Sequence, residues 1–198
     1  MKKTNQRATG NKNYTQGDSS MKPTTVLILI VFGMLTLLSG CADTHNLVRS
    51  NPMGLGAKLT SKDSFYIAVS KDVVYGDDIN EGSGLTLSQI LQSSVSKRAR
   101  RVEIGIEHES FDDALLHARS NSFKYLIYPT ILHWEDHATE WNGVADKVEV
   151  KVEVVESATD NNVDTAIISG RSGIATFGGD KPQDLLPMPV EEFISNLF

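Results

Sequence analysis

The chain has 198 residues, 40% of them hydrophobic, with one cysteine and a formal net charge of −6. This length suits one folded domain with one core, and a lone cysteine excludes an internal disulfide. Five of the 19 basic residues and one of the 25 acidic residues lie within residues 1–40, which leaves 14 against 24 in residues 41–198. The resulting net charge of −10 argues against partners such as nucleic acid and against electrostatic docking on anionic lipid.

An apolar run of 13 residues, 26–38, leads into the sequence Leu38-Ser39-Gly40-Cys41. A membrane-spanning helix needs about 20 apolar residues, whereas a shorter run is typical of a signal-peptide core. A branched apolar residue, two small residues and a cysteine resemble a bacterial lipobox. In such a motif Cys41 would receive diacylglycerol and usually a further acyl chain such as palmitate. The alternatives are a plain secretory signal and a short anchor with an unrelated cysteine.

The lipobox predicts an envelope lipoprotein that is anchored to the membrane through Cys41, because two or more acyl chains give stable anchoring. In lipoproteins of this kind an aspartate after the cysteine favours inner-membrane retention. Ala42 stands at that position and therefore predicts the outer membrane, with the domain facing the periplasm. We expect residues 21–40 to be the signal peptide. Residues 1–20 are then either upstream of the true start or a disordered extension.

The mature region opens with residues 41–63, whose polar and turn-forming composition predicts a tether. Residues 64–198 are predicted to form a single periplasmic α/β domain. Its first part is predicted to be a buried strand over 64–70, a polar loop over 71–84 and a helix over 86–100. Thr86 and Gln89 form a capping-box pattern at the start of this helix. The strand 102–105 and a helix capped by Ser110 and Asp113 follow.

The second part of the domain gives the clearest pattern. An apolar strand over 125–132 contains Pro129, which predicts a bulge or an edge there. Valines alternate with charged residues over Lys147–Val155, which predicts an antiparallel strand with one dry face, and 163–170 is its hairpin partner. Pro189 is predicted to open a last helix that buries one face. The order β-α-β-α-β-β-β-α predicts an α/β sandwich: a mixed sheet with a C-terminal antiparallel meander and helices packed on it.

The segment 133–141 carries the residue types most often used in sites. As a strand it would place His133, Glu135 and His137 on one face; as a helix it would place the two histidines one turn apart, as in zinc sites. A metal-dependent hydrolase using His133 and His137 is therefore one hypothesis, although no HExxH pattern is present. Tryptophan is enriched in protein interfaces. The candidate partner-binding residues are Trp134, Glu135, Asp136, Glu140 and Trp141.

No other motif indicates catalysis or a cofactor. The glycine loops 81–84 and 177–180 lack the spacing of phosphate-binding loops, and there is no GxSxG nucleophile elbow. The basic cluster at 97–101 suits a helix C-terminus. We therefore expect a protein that is not an enzyme and holds no cofactor or metal.

The chain resembles a group of proteobacterial lipoproteins catalogued only as a domain of unknown function. The resemblance is carried by SFYIAVSKDVVYGDDINEGSGL (64–85), SKRARRVEIG (96–105), YLIYPTILHWEDHATEW (125–141) and ATFGGDKPQDLLPMPVEEF (175–193). It implies no activity, and it does not require histidine at position 137. More loosely, the element order is similar to small α/β domains of envelope lipoproteins: the N-terminal domain of the Tol periplasmic protein, the curli secretion lipoprotein and the penicillin-binding-protein activator lipoproteins.

These observations favour a periplasmic binding or assembly module on the outer membrane. Its expected partners are the membrane, through the lipid on Cys41, and either another envelope protein or copies of itself. The alternatives are the hydrolase described above and a glycan or small-molecule binder that uses Trp134 or Trp141 as a stacking platform.

Overall fold

The computed structural model of the protein describes residues 43–50, 58–75, 78–136, 144–173 and 181–198. In chain order these residues form β1 (Thr44–Arg49), β2 (Ser64–Val69), β3 (Val73–Tyr75), β4 (Asp78–Asn80), α1 (Ser83–Ser96), β5 (Arg101–His108), α2 (Phe111–Ser120), β6 (Tyr125–Glu135), β7 (Lys147–Glu156), β8 (Asn162–Arg171), the 3₁₀ turn Pro182–Leu185 and α3 (Pro187–Leu197). No helix within these ranges has the length and apolar character needed to cross a lipid bilayer.

Six strands form one mixed sheet in the order β1-β8-β7-β6-β2-β5, and β3 and β4 form a separate hairpin. β2 pairs in parallel with both β5 and β6, so α1 and α2 serve as the crossover connections that parallel strands require. The strands β6, β7, β8 and β1 are antiparallel neighbours. The predicted mixed α/β fold with a C-terminal meander is therefore confirmed.

The larger core lies between one face of the sheet and the helices α1 and α3. Alternate residues of β7 point into it, and Val150, Val152 and Val154 have no exposed surface. α3 begins two residues before the predicted Pro189, and it buries the predicted stripe of residues completely: Val190, Phe193, Ile194 and Leu197. The hydrophobic spacing of the sequence thus places this core correctly.

The end of α1 is joined to α3 by ion pairs. Lys97 Nζ lies 2.9 Å and Arg98 Nη1 lies 2.7 Å from the two carboxylate oxygens of Glu191. Hydrogen bonds from Lys97 and then Arg98 lower the pKa of Glu191 to about 2. Two charges of the basic cluster at 97–101 therefore have a structural role between the two helices.

The smaller core lies on the opposite face, where α2 packs over β2 and the start of β6. α2 begins as predicted, with the Ser110 hydroxyl accepting a hydrogen bond from the Asp113 amide. Tyr66 of β2 stacks on His117 of α2 with ring centroids 4.3 Å apart, and its hydroxyl hydrogen-bonds to Glu109. Burial and then this bond raise the pKa of Tyr66 above its ordinary value.

The tether predicted over 41–63 is wrong for residues 44–49 and 58–63. β1 pairs with β8 over its whole length. Arg49 Nε donates a 2.9 Å hydrogen bond to the fully buried carboxylate of Asp164. Leu59 is 2% exposed and its amide donates to the Leu197 carbonyl. The residues of this strand are mostly polar, and its pairing partner lies more than 100 residues away in the chain. For these reasons no local pattern in the sequence indicates the strand.

The polar loop predicted over 71–84 is also partly wrong, because it contains the β3–β4 hairpin, and α1 starts and ends earlier than predicted. The Thr86–Gln89 capping box does not form. Instead, Asp72 carboxylate oxygens accept the amides of Gly82 and Gly84 at 3.0 and 2.8 Å. A Cβ on Gly84 would overlap the carbonyl oxygen of Ser70, so the start of α1 is pressed against the end of β2.

Candidate interaction surface

Among the described residues, helix covers only about half of the sheet face that carries α2. α2 contacts β2 and β6, and none of the described helices lies over β7, β8 and β1 on this side. Here β7 presents Lys147, Glu149, Lys151 and Glu153, all half-buried. We call this region the open face: the exposed side of β1, β8, β7 and the second half of β6.

A β-bulge decides which residues of β6 reach the open face. Ile131 pairs with Val150 on the core side, and the register shifts before His133 pairs with Glu149. The extra residue, Leu132, is 47% exposed. Because one inserted residue reverses the alternation of a strand, His133 then faces outward and Trp134 faces the core.

The prediction that Trp134 contacts a partner is wrong for this conformation, because its side chain is only 4% exposed and belongs to the larger core. His133 and Glu135 do share one face as the strand interpretation predicts, and Asp136 is exposed. His137, Glu140 and Trp141 lie outside the described residues.

A shallow trough of about 280 Å³ crosses the open face near β1. Its floor is the backbone around Val148 and Gly170, since the Val148 side chain is buried on the other side of the sheet. Its walls are polar side chains: Thr44, Asn46, His133, Lys147, Glu149, Ser169 and Arg171. The trough thus combines residues of four strands, of which the sequence analysis singled out only His133.

The charges around the trough are mostly paired within the chain. His133 Nε2 lies 2.9 Å from one oxygen of Glu135, and Lys147 Nζ lies 3.1 Å from the other. Arg171 is exposed and makes no ion pair with any described residue. A guanidinium offers a carboxylate up to two parallel hydrogen bonds.

The opposite edge of the sheet is β5, and it carries the most exposed apolar side chain of the described residues. The β2–β5 register passes from Ile67 with Ile104 to Val69 with His108, so β5 bulges around Gly105. Ile106 sits on this bulge and is 95% exposed. Exposed Glu107 follows it and has no ion-pair partner among the described residues. Strict alternation after Ile104 would bury Ile106, so the sequence gives no sign of this exposure.

A second cavity of about 390 Å³ lies at the carboxyl ends of β2 and β5, the edge where open α/β sheets commonly bind ligands. The amides at the start of α1, which could otherwise hold an anion there, are already occupied by Asp72. This supports the interpretation of the 81–84 glycine loop as a turn.

In the ranges that the structure covers, no three His, Cys, Asp or Glu side chains are clustered in a way that could hold a metal ion. The hydrolase hypothesis depends on His137, and the lipidation prediction depends on Cys41. Both residues lie outside the described ranges, so both predictions remain untested by the fold.

The fold and the open face define a class of protein: a mixed α/β sheet with helices on both sides. Among the described residues, half of one sheet face has no helix over it, and both edge strands are unpaired. Residues 57–197 match the family described as "Domain of unknown function (DUF4823)". The chain belongs to this family, which confirms the resemblance to a family without an assigned function. No curated protein sequence is significantly similar to the chain.

Solved structures share the fold at low sequence identity. The PelC dodecamer from Paraburkholderia phytofirmans has a TM-score of 0.62 and 14% identity, covering 78% of this chain and 97% of its own. A variant of that protein, also a dodecamer, gives a TM-score of 0.61 at 13% identity, with 78% and 98% covered. Lipoprotein GNA1162 from Neisseria meningitidis has 14% identity and covers 67% of this chain and 96% of its own. The TM-score of this comparison is 0.44.

Proposed function

We propose that this protein is an outer-membrane lipoprotein whose α/β domain is an assembly module that associates with copies of itself. The observation that carries the proposal is the sheet with an open face and two edge strands that are unpaired among the described residues, one of them bearing Ile106. Exposed sheet edges are features that soluble monomers usually suppress. The role is binding and assembly rather than catalysis.

Two further observations support the proposal. The sequence Leu38-Ser39-Gly40-Cys41 provides the lipid attachment site, and Ala42 favours the outer membrane. The PelC structures, which share this fold over nearly their whole length, are dodecamers. Head-to-tail assembly needs one surface to meet a different surface on the next copy. The two edges of this sheet, β5 and β1, provide two such different surfaces.

The anchor is tested by labelling cells with an alkyne analogue of palmitate. We expect label on the wild-type protein, none on Cys41→Ala, and release of that variant from the membrane fraction. Ala42→Asp serves as the sorting control: it should keep the label but move the protein to the inner membrane. Label on Cys41→Ala would refute the assignment of the lipid to this residue.

The assembly is tested on the lipidated full chain, extracted from its native envelope in mild detergent. Native mass spectrometry and light scattering should give a defined multiple of the protomer mass. A monomer at every concentration, including after cross-linking in intact cells, would refute self-association. Cross-links to one other envelope protein would then favour the alternative of a hetero-complex.

A further inference from the structure

The edge that carries Ile106 and the trough on the open face lie at opposite ends of the sheet. β5 is the last strand on one side, and the trough is centred on β1, β8 and β7 at the other side. A projecting group at one end and a recess at the other cannot meet within one molecule. They can meet between neighbouring copies in head-to-tail order, an arrangement that closes into a ring or continues as a filament, depending on the rotation between copies.

We propose that Ile106 of one copy inserts into the trough of the next copy, with Glu107 of the first pairing with Arg171 of the second. This inference rests on the proposed self-assembly and names its contact surfaces. It commits to a second copy of this chain as the occupant of the trough.

The shape of each surface supports the contact. The bulge at Gly105 disrupts the regular ladder of β5, and bulged edges resist simple strand addition. The edge is therefore suited to a side-chain contact rather than to a continuous intermolecular sheet. Ile106 projects almost completely into solvent, and a trough of about 280 Å³ is large enough for an isoleucine side chain.

The charges are complementary. The trough lining holds two permanent cations, Lys147 and Arg171, against one carboxylate, Glu149. Lys147 is already paired with Glu135, whereas Arg171 has no ion-pair partner among the described residues. Glu107 is likewise unpaired within those residues and adjoins Ile106. One insertion would therefore bury the apolar side chain and neutralise both unpaired charges.

The contact must be wider than these two side chains. A stable interface buries about 800 Å² on each partner, so Ile106 would be the centre of a broader contact between the β5 edge and the open face. Central apolar anchors carry much of the energy of such interfaces, and their polar surroundings fix the register.

The first experiment compares Ile106→Asp with Leu116→Asp in the lipidated full chain. Both residues are exposed, and Leu116 lies on α2 at 62% exposure, so the control introduces the same charge outside β5 and outside the trough lining. We expect the concentration for half-dissociation to rise roughly tenfold or more for Ile106→Asp and to stay unchanged for Leu116→Asp. An unchanged assembly in Ile106→Asp would overturn the inference while leaving self-association intact.

A charge exchange tests the pairing directly. Glu107→Arg and Arg171→Glu should each weaken the assembly, and the double variant should recover it, because the pair is re-formed with reversed sign between copies. Failure of the double variant to recover would remove this pair from the interface. A wild-type protein that is monomeric would instead refute the proposed function itself, so the two failures are distinguishable.

Disulfide trapping locates the occupant of the trough. Ile106→Cys combined with Ser169→Cys, a trough residue, should give a ladder of cross-linked copies under oxidation, whereas neither single variant should give more than background. Efficient dimers of Ile106→Cys alone would show that two β5 edges meet each other, which contradicts the proposed contact.

Discussion

Replacing Trp134 by alanine separates a core role from an interface role at this position. The side chain is 4% exposed and lies on β6 opposite Val148, which is 1% exposed. Trp→Ala in a packed core costs about 3–5 kcal/mol, and a domain of this kind has only about 5–15 kcal/mol of stability in total. We therefore expect the free energy of unfolding to fall by about 3–5 kcal/mol.

The measurement is urea unfolding followed by far-ultraviolet circular dichroism, because tryptophan fluorescence changes with the substitution itself. Leu132→Ala is the matched control: it lies two residues away on the same strand, is 47% exposed, and should cost no more than about 1 kcal/mol. A loss below about 1 kcal/mol for Trp134→Ala would refute its placement in the core. It would also restore Trp134 as a candidate partner contact.

Four further substitutions test other parts of the fold. Gly84→Ala should destabilise by about 1–3 kcal/mol in urea unfolding, because its Cβ would overlap the Ser70 carbonyl; an unchanged midpoint would contradict the tight contact. Arg49→Met should cost about 3–5 kcal/mol, since it leaves the fully buried Asp164 carboxylate without its cation, whereas Asp164→Asn should cost less. Glu191→Gln should lower stability by up to about 1 kcal/mol at pH 7. The folded-state pKa of Glu191 is lowered to about 2, so its contribution is present above the unfolded pKa and lost as the pH falls. Thermal unfolding should show the difference shrinking between pH 5 and 2, and a constant difference would refute the ion pair as its source.

Elements with a strong local pattern could be predicted from the sequence. The valine alternation of β7 and the apolar stripe of α3 each contain their own period, and the larger core follows from them. α2 could be predicted equally well, because its capping residues and its apolar face are adjacent in sequence.

The remaining elements depend on distant partners. β1 is polar and forms only because β8 supplies its ladder, with Thr44 opposite Arg171. The start of α1 is fixed by Asp72, which lies outside the helix and outside any capping-box spacing. The bulge lies at Leu132 and not at Pro129, where the sequence predicts a bulge or an edge, and it exchanges the faces of His133 and Trp134. For this reason the sequence predicts the neighbourhood of the candidate surface but assigns the wrong tryptophan role.

The pairing of β1 also fixes how far the domain can stand from a membrane. Only two residues separate Cys41 from Thr44, where β1 begins, and three residue steps span at most about 10 Å. If Cys41 carries the lipid, the β1 edge and the trough beside it are held at the bilayer surface rather than at the end of a long linker. Copies would then diffuse in a plane with their β1 edges at the bilayer, and the β5 edge of one copy can reach the trough of the next when the sheets lie along the membrane. Confinement to that plane raises their effective concentration for one another. A contact too weak to hold copies together in solution could suffice there, and the membrane would act as the template for the assembly.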